Sequence, residues 1–203
     1  MTLARRTFLA GLTMGGLVRP VRADRPPVGQ VSTVTGAAQA LFSSEPPRPL
    51  APPAPVLLDD LLTTGPGARL ACMLEGGMDL RLGENAALRV DALLLRGPGA
   101  RVALRGFGGA LLFDRPPEAP RVPTTVTMPW ARMAVRGTRF FAGPLDGGFA
   151  VFVAHGRVLV EAGGGRAELA EGDGVDIAAP GAPPTNLRAW GAARIARALA
   201  SVQ

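Results

Sequence analysis

Arg69-Leu70-Ala71-Cys72-Met73-Leu74-Glu75-Gly76-Gly77-Met78-Asp79-Leu80-Arg81-Leu82 alternates apolar and polar residues on both sides of a glycine pair. Leu70, Cys72 and Leu74 oppose Arg69, Ala71 and Met73. Met78, Leu80 and Leu82 oppose Asp79 and Arg81. A period of two places one set of side chains on a core face and the other in water, as half-buried strands require. The pattern continues downstream: Leu88 and Val90 stand against Arg89 and Asp91, and Val102 and Leu104 against Arg101, Ala103 and Arg105. Glycine, proline or Asp-Gly signals separate these runs about every ten residues.

Gly148 to Val153 is apolar at nearly every position, which predicts a strand covered on both faces. Asp146-Gly147, His155-Gly156, Gly163-Gly164-Gly165 and Gly172-Asp173-Gly174 read as hairpin turns, because glycine supplies positive φ without steric cost. Strand follows strand with no intervening helix. The expected class is therefore all-β with antiparallel pairing, in a sandwich, a barrel-like sheet or a short β-solenoid. Six prolines between Glu45 and Pro55 forbid regular pairing and predict a loop over residues 45–55. A second proline-rich break runs from Arg115 to Pro123. Pro180 to Pro184 reads as a linker, and Asn186 as the cap of a C-terminal α-helix reaching Ala200. That helix carries Leu187, Trp190, Ile195 and Leu199.

The first residues carry a different signal. Arg5 and Arg6 precede a short, weakly apolar run and the small residues before Ala23. A basic start, an apolar run too short to span a bilayer and a small-residue cleavage point mark a secretory signal. Arg5-Arg6-Thr7-Phe8-Leu9 resembles the twin-arginine export motif, although Ala4 and Ala10 stand at flanking positions where that motif usually has Ser or Thr and Lys. Cleavage is expected after Ala23, which divides the chain into a signal at 1–23, a β domain at 24–179 and a linker with helix at 180–203. The exported protein is then expected in the periplasm, without a membrane span. The full chain has 22 basic and 16 acidic residues, a net charge of +6. Arg5, Arg6, Arg19 and Arg22 precede the cleavage point and no acid does, so export removes most of that excess. Nucleic acid is not an expected partner.

Several fragments from Gly29 to Ile177 resemble, in order, the FecR family. They are Gly29-Gln30-Val31 with Gly36, Leu58 to Gly65, Leu80 to Ala86, Val135-Arg136-Gly137-Thr138-Arg139-Phe140, Val151 to Val160 and Ala170 to Asp173. The fourth is the most specific: Gly137, Thr138 and Phe140 match the family pattern Val-x-Gly-Thr-x-Phe. The resemblance implies a β domain acting in envelope signalling or assembly through protein contacts. The family's regulators typically place a cytoplasmic anti-sigma segment before a membrane helix. An export signal in that position implies a free-standing FecR module.

Within the motif, Phe140 is a core candidate and Phe141 points to the opposite face. Arg139, Phe141 and Trp190 are candidate contact residues. An enzyme needs a constellation of reactive groups that this sequence does not assemble. His155 is the only histidine, Cys72 the only cysteine, and no run matches a zinc, calcium or phosphate site. No catalytic residue, metal or cofactor is expected. The expected partner is a periplasmic or membrane protein, met by outer-face arginines such as Arg69, Arg81, Arg89, Arg101 and Arg105. Cell-wall polysaccharide is the alternative ligand, with Trp130, Trp190 and Phe141 as its platform.

Overall fold

The computed structural model describes residues 25–203. The export motif and the cleavage point after Ala23 lie outside the described residues. The first eight strands are β1 (Pro27–Thr35), β2 (Ala38–Leu41), β3 (Arg48–Pro49), β4 (Pro55–Leu57), β5 (Leu61–Thr64), β6 (Arg69–Leu74), β7 (Met78–Leu82) and β8 (Ala87–Leu94). Then follow β9 (Arg101–Gly108), β10 (Leu111–Asp114), β11 (Thr124–Thr127), β12 (Arg132–Leu145) and β13 (Gly148–Ala162). β14 (Gly165–Leu169), β15 (Asp173–Ile177), β16 (Thr185–Ala189) and one helix, α1 (Ala192–Ala200), complete the chain.

The alternation read in the sequence sets the inner face. β6 and β7 pair as a hairpin with Leu74 opposite Met78. Leu70, Cys72, Leu74, Met78, Leu80 and Leu82 are buried, while Arg81 pairs with Asp79 outside at 2.8 Å. All sixteen strands join one hydrogen-bonded sheet, in the order β3-β2-β5-β8-β9-β11-β12-β10-β7-β6-β1-β4, with β13 to β16 added beyond β12. Val31 of β1, Val102 of β9 and Phe140 of β12 belong to one core cluster, so the sheet curls on itself as a half-barrel. Pairing is antiparallel except between β9 and β11, which run parallel with Val102 opposite Thr124.

β12 and β13 form the longest hairpin. Asp146 and Gly147 both have positive φ, 53° and 84°, the two-residue turn that matches strand twist. The apolar run in β13 is covered on both faces, as its composition predicts. Phe149, Val151 and Val153 enter the main core. Ala150 and Phe152 enter a second core with Phe141 of β12, Trp190 and the α1 side chains Ala198 and, just beyond, Val202.

The C-terminal helix is shorter than the sequence suggests. Thr185–Ala189 forms β16 along β15, and α1 begins only at Ala192. The open edge of β15 offers main-chain partners that outweigh local helix propensity. Asn186 does not cap a helix: its φ is 55°, and its amide donates to Asp176 at 3.1 Å. Trp190 then stacks on Phe152 with ring centres 5.0 Å apart. Arg194 lies over Trp190, pairs with Asp176 and reaches Asp146 at 3.3 Å, so one guanidinium ties α1 to the sheet.

Two outcomes are expected. Burial pushes the Cys72 thiol up to about 12, with the Asp79 charge adding to the effect, so a thiol reagent should leave the native protein unlabelled and react only on unfolding. Burial opposes the Asp176 charge, but hydrogen bonds from Arg194 and Asn186 and the charges of Arg194 and Arg188 outweigh it and lower its pKa. A lowered pKa means that the pair stabilises docked α1 fully above the ordinary value of about 3.8, and that this support fades as pH falls through the folded value. Trp190 fluorescence should therefore change on acidification before the sheet's circular dichroism. In Asp176→Asn the two signals should lose this separation. Coincident transitions in the native protein would contradict the assignment.

Candidate functional site

Val135-Arg136-Gly137-Thr138-Arg139-Phe140 lies at the middle of the long hairpin, where the ladder between β12 and β13 loses register twice between Arg136 and Phe140. The residues form a bulge. Gly137 has φ 60° and faces Gly156, φ 87°, and a Cβ at Gly156 would overlap the Gly137 carbonyl oxygen. The close approach of two backbones is what requires glycine there. His155-Gly156 is accordingly not a hairpin tip: it sits inside β13, opposite the bulge. Thr138 is fully buried, and its hydroxyl takes over where the ladder fails. It donates to the Arg157 carbonyl at 2.9 Å and accepts from the Arg157 N–H at 3.3 Å.

Both edges of the hairpin change partners at this bulge. On β12, Arg132–Val135 pairs with β11 and Arg139–Ala142 with β10. On β13, Phe149–Phe152 pairs with β15 and Val158–Ala162 with β14. Only Arg136, Gly137 and Thr138 separate the β11 and β10 registers on β12, whereas residues 115–123 separate them on the other side. That segment cannot fit into the sheet and is extruded as a loop. The Arg115 N–H begins it by donating to the Thr138 carbonyl at 3.2 Å.

Between the extruded loop and the bulge lies a cleft of about 820 Å³. Its lining includes Arg115, Arg121, Arg136, Arg157 and His155, with Glu168 as the carboxylate. Val122, Pro123, Ala134 and Leu159 supply apolar wall. Arg115 is 5% exposed, yet among the described residues it pairs with no carboxylate. Its Nη1 donates to the Val122 carbonyl at 3.1 Å and approaches the Thr124 hydroxyl at 3.4 Å, while Nη2 is buried without a hydrogen-bond partner. Burial and the neighbouring Arg121 charge lower the Arg115 pKa, though a guanidinium keeps its proton at neutral pH. Arg136 and Arg157 stand directly opposite each other across the strands. Glu168 approaches Arg157 only to 3.9 Å, between two exposed side chains.

The contact candidates from the sequence fare differently. Arg139 is half-exposed on the hairpin and pairs with Asp114 at 3.7 Å. Phe141 and Trp190 are buried together in the second core, covered by α1, so neither presents a surface. Trp130 is half-buried and stacks on Phe149 at 5.6 Å, which leaves the proposed polysaccharide platform without exposed rings. Several of the outer-face arginines are neutralised within the protein: Arg81 by Asp79, and Arg89 and Arg105 by Asp91. The arginines of the cleft were not singled out by sequence. Arg115 and Arg121 flank the second proline-rich break, which reads as a simple interruption until the sheet shows what it is extruded from.

The remaining FecR-like fragments do structural work. Asp60 is 1% exposed and joins Arg25, at 2.6 Å, to Arg48, which holds the start of the described chain against the proline-rich loop. The buried Thr64 hydroxyl donates to the Gly83 carbonyl at 2.6 Å and accepts from the Ala86 N–H at 2.9 Å across the Gly83–Ala86 turn. His155 Nδ1 meets Glu171 at 3.0 Å in an exposed pair, whereas Cys72 is buried in the core. Among the described residues no group of three or more His, Cys, Asp or Glu is placed to hold a metal ion, and no helix is long and apolar enough to cross a membrane.

Residues 60–159 match the family model described as FecR protein. The matched stretch contains the Gly137–Thr138 bulge, the extruded loop and all four cleft arginines. Two crystal structures of a candidate anti-sigma factor from Parabacteroides distasonis ATCC 8503, at 1.65 and 2.50 Å resolution, share the fold with a TM-score of 0.55 and 17% identity. The similarity covers 68% of this chain and 64% or 63% of that one, so the chain spans less than two thirds of that protein's length. No curated protein matches the chain. The protein is thus an all-β, curled-sheet protein whose central residues 60–159 match the FecR family model.

Thr138→Val should destabilise the protein by about 1 kcal/mol, because it removes the hydroxyl that serves both the part-buried Arg157 N–H and carbonyl. Thr138→Ser should recover most of the loss in a urea titration. Equal losses in the two variants would assign the effect to packing instead of the hydroxyl.

Proposed function

We propose that the chain is a non-enzymatic interaction module of envelope signalling, exported to the periplasm through a twin-arginine signal at residues 1–23 and active through contacts with another protein. The observation that carries this reading is the FecR match over residues 60–159, the stretch that builds the bulge and its arginine-lined cleft. The shared fold of the candidate anti-sigma factor supports a signalling role. Arg5-Arg6-Thr7-Phe8-Leu9 and the small residues before Ala23 support export. Docked α1 and stacked Trp190 close the face opposite the main core, so the extruded loop is the feature that the fold leaves for recognition.

Two measurements test this reading. N-terminal sequencing of protein recovered from the periplasm should begin at Asp24, and an Arg5→Lys, Arg6→Lys variant should stay in the cytoplasm. Affinity capture from an envelope extract should recover a protein partner in stoichiometric amount. Retention on peptidoglycan in salt with no protein captured would overturn the protein-contact role.

A further inference from the structure

We propose that the cleft between the 115–123 loop and the β12–β13 bulge binds an acidic peptide segment of the partner, its carboxylates taken by Arg115, Arg136 and Arg157. The proposal deepens the protein-contact reading above and rests on it. Three observations carry it. First, Arg115 is a permanent cation buried in the cleft wall with no carboxylate partner, and its Nη2 makes no hydrogen bond. A buried guanidinium ordinarily has a counter-ion, because isolated charge is strongly disfavoured in a low-dielectric interior. Second, Arg136 and Arg157 are cross-strand neighbours of like charge, an arrangement that weakens a sheet when nothing intervenes. Glu168 is too distant and too exposed to neutralise both, whereas Arg81, Arg89 and Arg105 at the outer face have close aspartates. Uncompensated repulsion beside a recognisable pocket marks a site more often than a defect.

Third, the shape and lining favour a chain over a small ion. A volume of about 820 Å³ far exceeds what an inorganic oxyanion fills. Val122, Pro123, Ala134 and Leu159 offer apolar surface between the charges. Alternating apolar and acidic side chains on an extended peptide would meet both. Planar guanidinium groups pair with carboxylates in a bidentate way, which adds direction to attraction. Exclusion of the segment 115–123 from the sheet leaves the Arg136–Thr138 stretch of β12, between its β11 and β10 registers, beneath the loop, where such a segment can lie.

The test is an amide-resolved NMR titration of the isotope-labelled protein at low salt. The probes are a short peptide of alternating glutamate and leucine, the same peptide with glutamine in place of glutamate, and inorganic phosphate. The glutamate peptide should shift amides within 115–124, 134–138 and 155–159 and should lose affinity as salt rises. Arg136→Gln and Arg157→Gln, both on exposed side chains, should each weaken it about tenfold, the loss of one charged hydrogen bond. Arg188→Gln, on the distant β16 strand, should leave it unchanged. Arg115→Gln should abolish binding, and the Arg136 and Arg157 variants decide the matter if that buried substitution unfolds the chain. Equal binding of the glutamine peptide, saturation by phosphate with no peptide shifts, or unchanged affinity in both exposed variants would each overturn the proposal. A partner captured equally well by the Arg136→Gln, Arg157→Gln protein would overturn the cleft while leaving the protein-contact function standing.

Discussion

One hydroxyl holds the long hairpin together at its weakest point. At the bulge the β12 and β13 backbones approach too closely for side chains and slip out of register, so the regular ladder cannot close. Thr138 donates to the Arg157 carbonyl and accepts from the Arg157 N–H, replacing a missing peptide with a side chain of the right length. Thr138 itself is fully buried and its two bonds to Arg157 are part-buried, where an unmet backbone group is costly. Gly156 makes the approach possible, Gly137 supplies the positive φ of the bulge, and Thr138 makes it stable. Everything near the cleft is measured from that point: β11 and β10 meet on one side, β14 and β15 on the other, and the Arg115 N–H anchors to the Thr138 carbonyl.

The bulge also explains why the sheet carries two cores. A hairpin of this length, bent in its middle, turns one face toward the half-barrel interior and leaves the other bare beyond the bend. The apolar run from Phe149 to Val153 needs cover on that second face. Trp190, stacked on Phe152, and the small side chains of α1 supply it, and Arg194 fastens the helix through Asp176 and Asp146. Without the helix, Phe141 and Phe152 would form an exposed aromatic patch next to the hairpin turn. Charge divides in the same way. Arg81, Arg89 and Arg105 each find an aspartate two residues away or across a strand, whereas Arg136 and Arg157 at the bulge face each other with only the exposed Glu168 nearby.

Much of the fold is legible in the residues. The period of two in Arg69–Leu82 sets the inner face, and Leu70, Cys72, Leu74, Met78, Leu80 and Leu82 are buried as it requires. The opposition of Phe140 and Phe141 follows from strand geometry and places them in different cores. The Asp146-Gly147 turn is a local matter, settled by which residues tolerate positive φ. His155-Gly156 fails for an instructive reason. A glycine after a polar residue looks the same whether it ends a strand or relieves contact with a strand remote in sequence. Asn186 fails similarly, since the edge of β15 competes with helix capping and that edge is invisible from residues 185–200 alone.

The sequence by itself determined the class of the fold, the buried face of each strand, the tight turn at Asp146-Gly147 and the family likeness of the Gly-Thr motif. These depend on local spacing and on side-chain chemistry that neighbouring residues reveal. Tertiary structure alone decided that the sheet is one curled surface, that β9 and β11 run parallel, and that Phe141 and Trp190 are hidden. It also decided that Arg115, Arg121, Arg136 and Arg157 share a cleft. Pairing between distant segments chooses these outcomes. Residues 115–123 become a loop because β10 and β11 are held almost end to end along β12, and no local pattern records that constraint.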